Sequence, residues 1–187
     1  EGVHFDGSAV LSTRQYSVLN NGQDTGREFG IVIARPANMN GPVPLIIMQN
    51  FCPNNDVIPN PDVPVPDDIA FSCSGDGMMS GVFTYMFGRY IADIMNRGYA
   101  IAAMYPSEFV PDSKERGAPV LNTLFAEQDP KTRTGAIAAW AKQFSLVSRE
   151  LKASPEFSSH IAFGHSRFGK TALLAAAMDP QIDGVIS

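Results

Sequence analysis

From residue 43 onward, continuous apolar runs alternate with longer segments in which apolar residues recur every three or four positions. Val43 to Met48 (VPLIIM) and Tyr99 to Tyr105 (YAIAAMY) are unbroken apolar runs, the pattern of strands buried on both faces. Ile137, Trp140, Phe144, Val147 and Leu151 share one face of a helix predicted from about Thr134 to Ala153, with Trp140 as core packing. Phe87, Ile91, Ile94 and Met95 mark another helix, closed by Gly98 as its C′ residue. After Pro155, a short strand at His160–Phe163 leads into a glycine-flanked motif. A helix then runs from Lys170 to Met178 and stops at Asp179-Pro180. The alternation predicts an α/β fold: a doubly wound, mostly parallel sheet with helices on both faces and right-handed crossovers.

The chain before residue 43 is less regular. Residues 1–27 are polar and turn-rich, with one strand expected at Tyr16–Leu19, and Glu28–Ala34 is a second strand ended by Arg35-Pro36. Residues 50–68 carry Pro53, Pro59, Pro61, Pro64 and Pro66, so a long loop or lid is expected there, its asparagines and aspartates solvated, with cation binding as the alternative. Ligands of such sheets bind at the carboxyl ends of the strands. Those ends carry the Asn50 loop, the loop from Pro106 to Asp112, and the motif after Phe163.

Composition removes several classes of function. The 187 residues are 44% hydrophobic and 18% charged, with a formal net charge of -5. Nothing in this balance attracts nucleic acid or an anionic membrane. No apolar run approaches the ~20 residues that span a bilayer. The two cysteines, Cys52 and Cys73, and the three histidines do not make a metal-site pattern, and no cofactor is implied. Either the cysteines are separate thiols, or they pair in an oxidising compartment, closing a loop worth on the order of 3 kcal/mol.

The motif is Gly164-His165-Ser166-Arg167-Phe168-Gly169-Lys170-Thr171. As G-x-x-x-x-G-K-[ST] it matches a P-loop, in which backbone N–H groups and a lysine hold phosphates. As a serine between two glycines, after a strand and before a helix, it matches a nucleophile elbow. A P-loop usually follows the first strand of its domain, whereas this motif follows at least three. Bulky Arg167 and Phe168 are permitted in a phosphate cradle but not typical of one. In an elbow, the glycines let strand and helix approach closely around a strained serine, whose oxygen stands at a helix N-terminus that favours an oxyanion. A second oxyanion donor commonly comes from an earlier strand-end loop, here Gln49-Asn50-Phe51-Cys52. The alternative for Ser166 is a simple helix N-cap.

At Gly164–Lys170 (GHSRFGK), with Arg167 directly after the serine and Lys170 four residues on, the sequence resembles the glucuronoyl esterases, carbohydrate esterase family fifteen of the α/β-hydrolases. Three other segments carry the resemblance in the same order: Pro44–Ile47 with Asn50-Phe51-Cys52, Arg97–Ala102 followed by Pro111-Asp112, and Gly135–Ala141. The resemblance implies an α/β-hydrolase fold and a secreted or periplasmic serine esterase. Its substrate would be a 4-O-methyl-glucuronate ester on xylan, as in glucuronoxylan or a lignin–carbohydrate ester. Ser166 would be the nucleophile and Arg167 would stabilise the oxyanion, the alternative for Arg167 being a surface salt bridge. Lys170 would bind hydroxyls of the glucuronate ring, or else be a solvated lysine. Asn50 and Phe51 would belong to the oxyanion loop. Acetylxylan-type ester hydrolysis, a catalytically inactive carbohydrate-binding relative and the P-loop stay open as alternatives.

A serine hydrolase also needs a histidine base and an acid to orient it. His4, His160 and His165 are none of them well placed, and His165 should point away from its neighbour. Glu108 and Asp112 are candidate substitutes for the acid. Ile182 to Ser187 reads as a core strand just beginning. Residues 1–187 are therefore expected to be the N-terminal part of one catalytic domain, with its remainder, including the acid and the histidine, beyond Ser187.

Overall fold

A computed structural model describes residues 2–4, 7–66, 73 and 90–187. Its strands are β1 (Gly2–His4), β2 (Ala9–Asn20), β3 (Gln23–Pro36), β4 (Val43–Gln49), β5 (Ala100–Met104), β6 (Phe157–Gly164) and β7 (Gly184–Ile186). They form one seven-stranded sheet in the order β1-β2-β3-β5-β4-β6-β7. The pairings β1–β2, β2–β3 and β3–β5 are antiparallel. From β5 to β7 every pairing is parallel, as the alternation predicts.

The helices are α1 (Asn54–Val57), α2 (Ile91–Asn96), α3 (Pro106–Phe109), α4 (Lys114–Leu124), α5 (Ala136–Lys152) and α6 (Arg167–Met178). Apolar residues of β4 alternate between two cores, because successive side chains of a strand leave opposite faces. Leu45 and Ile47 join α5 and α6 residues such as Trp140, Phe144, Phe168 and Ala172. Ile46 and Met48 join Ile91 and Met95 of α2, with Cys52, Val57 and Cys73. The central strands are thus covered on both sides, and Trp140 is core, 3% exposed.

The structure corrects the sequence reading in three places. Residues 9–27 are mostly a long hairpin, not a turn-rich segment with one short strand. β2 and β3 meet at Asn21-Gly22, whose φ values of 50° and 79° make a turn with both central residues left-handed. Asn-Gly suits that turn and matches the twist of the strands. Second, the Pro106 loop contains one helical turn, α3, and leads into α4, where Gly117 and Pro119 weaken the helical pattern. Third, the 50–68 loop begins with the single turn α1, and its Asn50, Asn54 and Asp56 are buried rather than solvated. Phe87 of the predicted helix, and residues 67 and 68 of the loop, lie outside the described residues.

Cys52 and Cys73 form a disulfide. It ties the chain directly after β4 to residue 73, whose N–H donates to the buried Asp56 carboxylate at 2.8 Å.

Candidate active site

Ser166 occupies the turn between β6 and α6, with φ 58° and ψ -118°. For a residue with a Cβ this conformation is sparsely populated and costs about 1–3 kcal/mol. The side chain is exposed and makes no capping hydrogen bond to α6, which excludes the N-cap role for its hydroxyl. Its carbonyl instead accepts from Lys170 N at 3.2 Å and starts the helix. The serine oxygen therefore stands at the amino end of a 12-residue helix without being consumed by it.

The flanking glycines are required by contact. A Cβ at Gly164 would lie 2.3 Å from the Phe168 carbonyl oxygen and 2.4 Å from its carbon. One at Gly169 would meet the Gly164 oxygen at 3.1 Å. Strand and helix cross so closely that neither position tolerates a side chain without movement.

The same geometry disposes of the P-loop. β6 ends at Gly164 and α6 starts at Arg167, so only His165 and Ser166 lie between them. Arg167 and Phe168 are already helical, and Phe168 is 1% exposed. No loop remains to wrap a phosphate.

Phe168 locks the turn to its surroundings. Its ring lies 4.6 Å from Phe51 and 5.3 Å from Trp140, centroid to centroid. Beneath it, Gln49 joins three elements: Nε2 donates to Trp140 O at 2.8 Å and to Gln143 Oε1 at 3.0 Å, and Oε1 accepts from Thr171 Oγ1 at 2.6 Å. Strand register sets Gln49 opposite both Met104 and Gly164, which brings the Asn50, Pro106 and Ser166 segments to one edge of the sheet. Asn50 is fully buried, and its backbone N–H and Nδ2 both donate to Met104 O, at 3.3 and 3.0 Å. Its side chain thus fixes the loop.

Arg167 is exposed and lies 5.5 Å from the Phe51 ring centroid. Its Nη1 donates to both oxygens of Asp112, at 2.8 and 2.6 Å. The salt bridge considered as an alternative for Arg167 therefore exists. Lys170 is exposed in the first turn of α6, and His165 is exposed beside the serine. His160 is fully buried within β6, with Nδ1 2.8 Å from Ser148 Oγ. Burial, the largest cause, lowers its pKa. His4 lies in β1, at the sheet edge opposite β7.

Glu108 and Asp112 are each engaged, and neither is hydrogen-bonded to a histidine among the described residues. Glu108 Oε2 accepts from Gly30 N at 3.2 Å. Burial, opposed by that hydrogen bond and by Arg27, raises its pKa from 4.5 to about 7. Because the folded state holds this proton more tightly than the unfolded chain, the stability it contributes is present at low pH. It is lost as pH rises from 4.5 through 7. Glu108→Gln should remove the dependence and exceed wild type in stability above pH 7, by on the order of 2 kcal/mol. Urea unfolding at pH 5 and pH 8 measures this; equal pH dependence in both proteins would refute it.

Two concavities, of about 400 and 590 Å³, lie along α5, and Ser166 lines neither. Among the described residues, no helix is long and apolar enough to cross a membrane.

No protein-family model and no curated protein matches the chain. Solved structures do. A glucuronoyl esterase from Solibacter usitatus superposes with a TM-score of 0.79 at 23% identity, over 100% of this chain and 49% of that one. The chain has the α/β-hydrolase fold. A promiscuous esterase of carbohydrate esterase family 15, from a marine bacterial metagenome, gives 0.73 at 22% identity, over 96% of this chain and 47% of that one. A Bacteroides fragilis protein provisionally described as an acetyl xylan esterase gives 0.61 at 13% identity, over 95% and 44%. The chain spans about half the length of these α/β-hydrolases.

Proposed function

We propose that this α/β-hydrolase chain carries the nucleophile of a serine carboxylesterase that acts on carbohydrate esters. The favoured reaction is hydrolysis of 4-O-methyl-glucuronate esters in glucuronoxylan or lignin–carbohydrate linkages. The observation that carries the reading is Ser166: a strained, exposed serine at a helix N-terminus, its hydroxyl unused by the helix. Such strain has a use where an oxygen must be presented to a substrate, and a helix cap does not need it.

Ser166 Oγ attacks the ester carbonyl while a histidine takes its proton. The histidine and its acid would come from chain beyond Ser187: His160 is buried within β6, and His4 is at the far edge of the sheet. The carbonyl oxygen becomes an oxyanion, stabilised by the Arg167 guanidinium, the α6 N-terminus and the backbone of the loop at Phe51. Collapse expels the alcohol, to which the histidine returns the proton. Water then hydrolyses the acyl-enzyme by the same route. Lys170, one helical turn beyond Ser166, would meet the sugar hydroxyls. The Cys52–Cys73 disulfide supports a secreted or periplasmic location, where such bonds persist.

A fluorophosphonate probe should label the intact protein at Ser166, located by peptide mass spectrometry. Absence of labelling would sink the esterase reading and favour an inactive carbohydrate-binding relative. Faster turnover of acetylated xylan than of a methyl glucuronate ester would move the substrate to the acetyl class.

A further inference from the structure

The segment from Pro106 to Asp112 is held from four directions before it reaches Arg167. Gly30 N donates to the Glu108 carboxylate, and Arg27 Nη2 donates to the Glu108 carbonyl. Trp140 Nε1 donates to Val110 O at 3.0 Å. Asp112 N donates to Ser107 Oγ at 3.3 Å. Phe109 and Val110 are buried in the core. The segment is thus a bracket fixed to β3, to α5 and to itself, with Asp112 at its end.

Asp112 meets Arg167 through one nitrogen only. Both hydrogen bonds go from Nη1 to the carboxylate, at 2.8 and 2.6 Å. A guanidinium has five N–H donors in a rigid plane. The Nη2 and Nε donors thus remain outside this ion pair. Phe51 supports the other side of the group, with the guanidinium carbon 5.5 Å from its ring centroid. An arginine beside the nucleophile but half in solvent would otherwise sample many rotamers, and ordering it during the reaction would cost entropy.

We propose that Asp112 is a positioning residue of the esterase: it clamps Arg167 by Nη1 so that the remaining guanidinium donors are fixed in advance for the oxyanion formed at Ser166. The inference rests on the esterase reading above. It replaces the role of substitute acid considered for Asp112, because both oxygens of its carboxylate already accept from Arg167 Nη1.

The test uses the intact protein and the methyl ester of 4-O-methyl-glucuronic acid. An interaction that matters to the oxyanion acts on kcat more than on KM. Asp112→Asn should lower kcat by about 10- to 100-fold with KM changed less than about threefold. Asp112→Glu should recover most of the loss. In an Arg167→Ala background Asp112→Asn should cost nothing further, since the two act as a unit. An exposed ion pair contributes little to folding, so the Tm of D112N should stay near that of wild type. If D112N nevertheless fails to fold, Asp112→Ala with added formate gives the same readout: formate should restore kcat in D112A and not in R167A. A kcat for D112N within twofold of wild type, a full additional loss on R167A, or a folded D112A indifferent to formate would overturn the proposal. An inactive, unlabelled wild type would end the esterase reading itself. An active wild type with an indifferent D112N ends only this inference.

Discussion

Replacing Ser166 by alanine is expected to lower kcat for a glucuronate ester by on the order of 10⁵- to 10⁶-fold, leaving the fold intact. The hydroxyl makes no bond to the helix that follows, so its loss removes nothing that holds the turn. The backbone strain is a property of φ 58°, ψ -118°, and alanine bears it as serine does. Glycine does not. Ser166→Gly should be as inactive as Ser166→Ala yet more stable than wild type by about 1 kcal/mol, measured by urea unfolding. An active Ser166→Ala would remove the nucleophile assignment. A Ser166→Gly less stable than the alanine variant would show that the turn is not strained.

Gly164→Ala is expected to have the largest effect on the fold, on the order of 4 kcal/mol or more. The new methyl group would lie 2.3 Å from the Phe168 carbonyl oxygen, far inside van der Waals contact. Relief requires β6 and α6 to move apart. Phe168 resists this, packed between Phe51 and Trp140, and so does Gln49, bonded to Thr171 of α6 and to Trp140 of α5. A shift of about 1 Å at the nucleophile can itself cost 100-fold in rate. Any folded fraction of Gly164→Ala should therefore react with a fluorophosphonate about 100-fold more slowly than wild type. Thermal unfolding and the labelling rate measure the two effects separately. Wild-type values of both would contradict the close crossing of strand and helix.

Strands β4 and β5 were legible because each is buried on both faces and so is apolar without interruption. Helix α5 was legible because one buried stripe repeats at helical spacing. The β2–β3 hairpin was legible only in part, as the strands Tyr16–Leu19 and Glu28–Ala34, for the opposite reason. Much of β2 faces solvent, so neither face carries an apolar rhythm, and the Asn21-Gly22 turn was its only strong local mark. Helix α4 was hidden by Gly117 and Pro119, which propensity counts against a helix that tertiary packing nevertheless supports.

Local spacing determined the elbow: a serine between two glycines, after a strand and before a helix, is a pattern of adjacent residues. Its physics, backbone strain and a helix dipole, acts over one turn of chain. The disposal of the P-loop, the Cys52–Cys73 bond, the Gln49 contacts and the grip of Asp112 on Arg167 belong to the fold. Asp112 and Arg167 are 55 residues apart, and Gln49 and Thr171 are 122 apart. No periodicity or propensity reports which carboxylate a distant arginine will meet. That depends on strand order, which sets β5 beside β4 and β4 beside β6, and so brings the ends of three crossovers to one edge of the sheet.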